Sequence, residues 1–109
     1  MESVAAICPR YHYAVELVGA RWSGAILRAV MDGAQRYAEI KAAIPGVSDT
    51  MLSQRLRWLE GEGVLERHVR DSSPVRVEYR LTERGAALAP VVEALTTWAH
   101  AWVPVETPE

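Results

Sequence analysis

The chain has no phenylalanine and a single cysteine, Cys8, in 109 residues. A lone cysteine excludes an internal disulfide and leaves only a bond between two chains. Without Phe, aromatic packing falls to four tryptophans and four tyrosines, each with a polar atom to satisfy. Apolar runs fall well short of the roughly 20 residues a membrane span needs. Met1–Arg10 carries no signal-peptide pattern, so a cytoplasmic protein is expected. No C-x-x-C or paired-histidine spacing suits zinc; Cys8, His12 and His100 would meet only across two chains. Glycine-rich cofactor loops are missing too. Cys8 and His12 share a helix face, but no third residue completes a nucleophilic site. No enzyme, metal or cofactor is expected. Positive charge is not in excess: 12 Lys and Arg against 14 Asp and Glu give a net charge of −2. Any affinity for nucleic acid must then come from how charge is distributed.

Half of the residues are hydrophobic and about a quarter charged, as in a globular protein of one domain. Residues 1–109 read as that domain, with 1–7 as a flexible arm and 104–109 as a tail. Pro9 suits a first helical turn, and Ala14, Leu17 and Val18 continue a helix to Gly19. Trp22 precedes a second helix in which Ile26, Leu27 and Val30 face inward, ending at Asp32-Gly33. Ala38 to Ile44 reads as a short helix stopped by Pro45-Gly46. Beyond Gly63, Val64 with Leu65 and then Val69 fit one strand, and Val75, Val77, Tyr79 and Leu81 a second, around a Ser72-Ser73-Pro74 loop. Thr82 caps a last helix, predicted from Glu83 to about Val103 with a kink at Pro90. Leu88, Val91, Leu95, Trp98 and Trp102 recur along it among many alanines. A helix apolar almost all round is buried on several sides, and in so short a chain the extra face meets a second subunit.

Ser48–Gly63, SDTMLSQRLRWLEGEG, organises the rest. Ser48 can cap the free amides of a helix start, and Gly61 and Gly63 suit its end. Leu52, Leu56 and Leu59 form one buried stripe. At about 100° per residue, Thr50, Ser53, Gln54 and Arg57 share the opposite side. Hydroxyls, an amide and a guanidinium on one arc without a carboxylate can pair with base edges and phosphates. On an isolated helix the same arc would be a plain solvated face.

The neighbours decide. Two short helices around a tight turn, then a hairpin, make a winged helix-turn-helix. The Cys-Pro entry, Gly-x-Arg-Trp, Arg-Tyr-x-Glu-Ile, Met-Leu-Ser-Gln-Arg-Leu and Tyr-x-Leu-Thr-x-x-Gly, between Cys8 and Ala99, resemble the HxlR-type bacterial transcription regulators. The resemblance implies a mostly helical fold with a small β-hairpin wing and a homodimer joined by the first and last helices. It implies double-stranded DNA as partner, in the form of an inverted-repeat operator with half-sites one helical turn apart. It places Ser48, Thr50, Ser53, Gln54 and Arg57 on the recognition helix. It adds Arg36 and Arg76 as phosphate or minor-groove contacts. A winged-helix adaptor that binds protein instead of DNA is the alternative, and would be indifferent to Gln54→Ala and Arg57→Ala. Two departures from the family stand out: Ser23-Gly24-Ala25 after Trp22, where bulkier residues are usual, and a wing loop, SSPVRV, with one arginine.

Two groups of residues are candidates for sensing. Some relatives in the HxlR-type family use the Cys-Pro cysteine against oxidants, quinones or aldehydes, and Cys8 precedes a helix N-terminus that favours thiolate. The other reading of Cys8 is a small residue packed near the dimer interface. Tyr11, Tyr13, Trp22, Trp98 and Trp102 either line a pocket for an apolar, aromatic small-molecule effector or pack an interface.

Overall fold

A computed structural model describes residues 5–105. In chain order it contains α1 (Pro9–Gly19), α2 (Ser23–Met31), α3 (Tyr37–Ala43), α4 (Asp49–Gly61), β1 (Leu65–Arg70), β2 (Arg76–Leu81), α5 (Glu83–Ala86) and α6 (Ala89–Trp102). Of the expected arm, Met1–Val4 lie outside the described residues, and Ala5–Cys8 are exposed without regular structure. Pro104 and Val105 of the tail are likewise exposed, and Glu106–Glu109 lie outside.

The central element is α2, which packs against α1, α3, α4, α6 and β2. Its Ile26 and Leu27 are wholly buried among Leu17, Ile40, Leu52, Leu56, Leu59, Val64 and Leu65. The apolar stripe of the Ser48 helix is therefore the floor of the core, and its polar arc must face away. Truncating any one of these leucines to Ala costs about 2–5 kcal/mol. Ser48 caps α4 by accepting the Met51 N–H at 3.1 Å. Glu39 plays a similar part for α3, accepting the N–H groups of Gln35 and Arg36 at 3.1 and 2.9 Å. Those two donors hold its carboxyl below the usual carboxylate range. Lys41 and the Tyr37 hydroxyl both donate to Asp49 Oδ1, at 2.9 and 2.8 Å, which ties α3 to the first residue of α4.

The hairpin is antiparallel, pairing Leu65 with Leu81 and Arg70 with Arg76. The Tyr79 N–H donates to the Gln35 carbonyl at 2.7 Å, anchoring β2 beside the start of α3. Only its base reaches the core. Val69 and Val75 are exposed, Val75 lies before the strand, and Val64 precedes the first strand. The best-buried strand residue beyond Leu65 is a carboxylate, Glu78, 7% exposed. It is covered by Arg70 at 2.8 Å and Arg80 at 3.3 Å. A projecting ribbon has no apolar layer above it, so alternation there does not signal burial.

The expected long last helix is two helices. Pro90 has no N–H to continue a ladder from α5. Instead it occupies the first turn of α6, and the Leu88 carbonyl accepts from Val91 and Val92. The glycines end helices as expected: Gly19 is the last residue of α1 and Gly61 the last of α4, both without a positive φ, and Gly63, at φ +78, takes the left-handed region that favours glycine. The left-handed residue between α1 and α2 is Trp22, at φ 76. That geometry costs roughly 1–2 kcal/mol for an L side chain. Packing of its ring on the core opposes the cost.

Candidate DNA-binding surface

Thr50, Gln54 and Arg57 are exposed on α4, and Ser53 is half-buried beside them. Ser48 is exposed at the helix start, with its oxygen engaged as the cap. The arc is thus assembled as the spacing predicts. Asp49 is the one acid in the first turn. Lys41 and Tyr37 hold its carboxyl below the usual range by hydrogen bonding, so it stays ionised and its charge is paired with Lys41.

Charge pairing separates the cations into two sets. Arg28 bonds Asp32 and Thr96. Arg70 and Arg80 share Glu78, and Lys41 holds Asp49. Arg84 donates to Tyr13. Arg55 donates to the Arg21 carbonyl and lies over Trp58, and Arg21 lies over Trp22. Among the described residues, Arg10, Arg21, Arg36, Arg57, Arg67 and Arg76 make no side-chain hydrogen bond or ion pair, Arg21 having only its contact with the Trp22 ring. All but Arg10 and Arg21 belong to the helix-turn-helix or the hairpin. Four of the uncommitted guanidiniums thus lie in the helix-turn-helix and its hairpin, where phosphates can take the place of absent carboxylates. A notch of about 390 Å³ between α4 and the hairpin is lined by Tyr37, Ser53, Arg57, Glu60, Arg67 and Tyr79.

Cys8 is exposed at the N-cap of α1, without a formed cap hydrogen bond. The free amides of Tyr11 and Arg10 nonetheless hold its thiol below the ordinary value. The five aromatic residues do not form one group. Tyr13 accepts from Arg84 at 2.9 Å and donates to Glu62 at 2.8 Å, joining α1 to α5 and to the residue that ends α4. Trp22 leaves the set: it packs on the helix-turn-helix core, with its ring 3.9 Å from where a Cβ on Gly46 would stand. Tyr11, Trp98 and Trp102 lie open, the tryptophans 60% and 72% exposed. Among the described residues of the single chain, none of the three principal cavities is lined by any of the five. Gly24 is explained by packing. A Cβ there would sit 3.1 Å from the Val18 carbonyl oxygen, and the cavity it does line lies against α6.

The HxlR-like helix-turn-helix family model matches residues 17–107. The chain belongs to this family. HxlR-like relatives include the HTH-type transcriptional regulator YvaP of Bacillus subtilis (strain 168), 44% identical over 97 residues, covering 89% of this chain and 90% of that one. YodB from the same organism is 43% identical over 93 residues, covering 85% and 83% of the two chains. Its diamide-treated crystal structure superposes with a TM-score of 0.75 over 93% of this chain and all of that one, at 40% identity. The redox regulator HypR in its oxidized form gives 0.83 over 90% and 100%, at 33% identity. This HxlR-like chain is accordingly a DNA-binding transcription regulator of winged helix-turn-helix fold.

One residue of the HxlR-like surface escaped sequence reading. Arg67 pairs across the hairpin with Tyr79, on the same face of the ribbon as Leu65 and Val69. A cation at that parity was the available signal. The one arginine of the wing loop is Arg76, and the strands add Arg67, Arg70 and Arg80.

Proposed function

We propose that this HxlR-like regulator works as a homodimer in the cytoplasm, without catalysis. Two copies of α4 read an inverted repeat whose half-sites lie one helical turn apart. The observation that carries the reading is the collection of uncommitted guanidiniums, Arg36, Arg57, Arg67 and Arg76, around an α4 face of hydroxyls and amide. Arg36 and Arg76 engage phosphates at either end of the half-site. Ser48, Thr50, Ser53 and Gln54 address base edges in the major groove.

The dimer rests on α1 and α6. Tyr11, Val15, Val91, Leu95, Trp98 and Trp102 are all exposed in the single chain, an apolar surface that water disfavours and a second copy covers. Cys8 lies at the start of the same region. Its accessibility and lowered thiol pKa suit reaction with oxidants or electrophiles. YodB has been observed diamide-treated and quinone-bound, and the same chemistry is proposed here. Two Cys8 thiolates that reach one another yield a disulfide and pass two electrons to the oxidant. An aromatic effector would sit between subunits, where Tyr11, Trp98 and Trp102 come together.

The experiment is a gel shift with duplexes selected from a random pool, before and after diamide, alongside a non-reducing gel. Binding to a palindrome that changes on oxidation with Cys8 intact, and not in Cys8→Ser, supports the whole reading. Equal binding of every duplex removes the sequence-specific part. An oxidation response that survives in Cys8→Ser removes the sensor.

A further inference from the structure

The notch between α4 and the hairpin has a composition that calls for an anion. Arg57 enters from α4 and Arg67 from β1, and neither meets a carboxylate within ion-pairing distance among the described residues. Ser53 adds a hydroxyl, and Tyr37 and Tyr79 form half-buried walls. Two guanidiniums converging on one recess repel each other and are each short of acceptors. A tetrahedral anion with several oxygens removes both deficits at once. Glu60, exposed and one turn beyond Arg57, also lines the recess and lowers its net charge to a single positive unit.

We infer that this notch seats a phosphodiester of the DNA backbone between Arg57 and Arg67. The inference rests on the DNA-binding reading and goes further. It adds Arg67 as a contact and assigns Arg57 to holding backbone. Such a contact positions α4 along the groove without carrying sequence information. It also locks the hairpin to the helix only when DNA is present, because the bridging anion belongs to the DNA.

The test is the salt dependence of affinity for Arg67→Ala and Arg57→Ala, measured by fluorescence anisotropy on a selected operator and on single-base variants of it. Each lost phosphate contact lowers the slope of log K against log salt by about 0.9. A dimer loses two, so the slope should become shallower by about 1.8. Affinity at 0.1 M salt should fall about 60-fold, relative to the values approached at 1 M. The loss should be the same for every duplex, and the double variant should lose less than the two single losses combined. Arg67→Lys keeps the charge and should keep most of the slope. Glu60→Gln should tighten all duplexes alike. Thermal melting confirms that each variant folds.

An unchanged slope in folded Arg67→Ala overturns the inference, as does relaxed discrimination at one base pair. Inorganic phosphate added to the free protein separates the other source of the same chemistry. Saturable shifts of both guanidinium signals without DNA would assign the notch to a free anion and overturn the backbone assignment, whereas shifts that appear only with duplex support it. A flat slope in the wild type would instead defeat the DNA-binding reading itself, and this inference with it.

Discussion

Replacing Gly85 by Ala sets two effects against each other, and the structure says which prevails. Gly85 lies in α5, where intrinsic propensity favours Ala over Gly by about 1 kcal/mol. But it is buried against the end of the recognition-helix connection. A Cβ there would overlap the Val64 carbonyl oxygen, stand 2.9 Å from its carbon and 3.2 Å from Leu81 Cδ2. The obstacle is backbone, not the end of a flexible side chain, so α5 has to retreat. Retreat disturbs three hydrogen bonds. Thr82 N–H donates to the Val64 carbonyl at 3.2 Å, its hydroxyl to the Gly63 carbonyl at 2.5 Å, and Gly85 N–H to the Thr82 hydroxyl at 3.0 Å. Overpacking costs about 1–3 kcal/mol, and each weakened bond adds about 0.5–1.5 kcal/mol. Subtracting the propensity gain leaves a loss of about 1.5–6.5 kcal/mol. For a chain of this size even the lower bound drops the melting midpoint by roughly 6–12 °C. The assay is thermal denaturation followed by circular dichroism at one fixed protein concentration, since dimerisation makes the midpoint depend on concentration. A variant that melts at or above the wild-type temperature would refute the reasoning and show that α5 accommodates a methyl group freely.

Gly19→Ala is the opposite case, because nothing lies within 4 Å of its would-be Cβ and its φ is ordinary. It should stabilise by about 0.4–1 kcal/mol, seen as a higher denaturation midpoint. Trp98→Ala should weaken the dimer at least about 30-fold, as expected for an interface anchor worth about 2 kcal/mol or more; sedimentation equilibrium measures it. For Cys8, the lowered thiol pKa means that thiolate is already formed at pH values where an ordinary cysteine is protonated. Its alkylation rate by iodoacetamide should rise to a plateau with a midpoint below that of a free cysteine peptide. Asp49 has a depressed folded pKa, caused first by Lys41 and then by Tyr37. Its contribution to stability is present above the unfolded value of about 3.9 and is lost as pH falls through the folded value. Asp49→Asn should remove that part of the acid limb in denaturation measured from pH 5 downward.

Most of the helical frame was legible because local signals and packing agree there. The Leu52, Leu56, Leu59 stripe, the Ser48 cap and the Thr82 cap each need only near neighbours in sequence. The motif Tyr-x-Leu-Thr-x-x-Gly now has a physical cause, since Thr82 caps α5 and Gly85 makes room for Val64. What was not legible depends on contacts distant in the chain. Pro90 reads as a kink in one long helix, yet it starts a separate one. Val69 and Val75 look like core residues until the hairpin is seen to project beyond the core. Glu78 is buried because Arg70 and Arg80 fold over it, and alternation carries no trace of that. Trp22 groups with the other aromatics by type alone, and space puts it elsewhere. Arg67 becomes part of the surface only because the hairpin turns one face toward α4.

On the proposed function, an acidic chain binds an inverted repeat through paired copies of α4 and its uncommitted arginines. Selection of bound duplexes from a random pool by the reduced protein tests it most directly. The expected result is enrichment of a palindrome with half-site centres about 10–10.5 base pairs apart. Enrichment of a single asymmetric site, or of nothing above the starting pool, would contradict it.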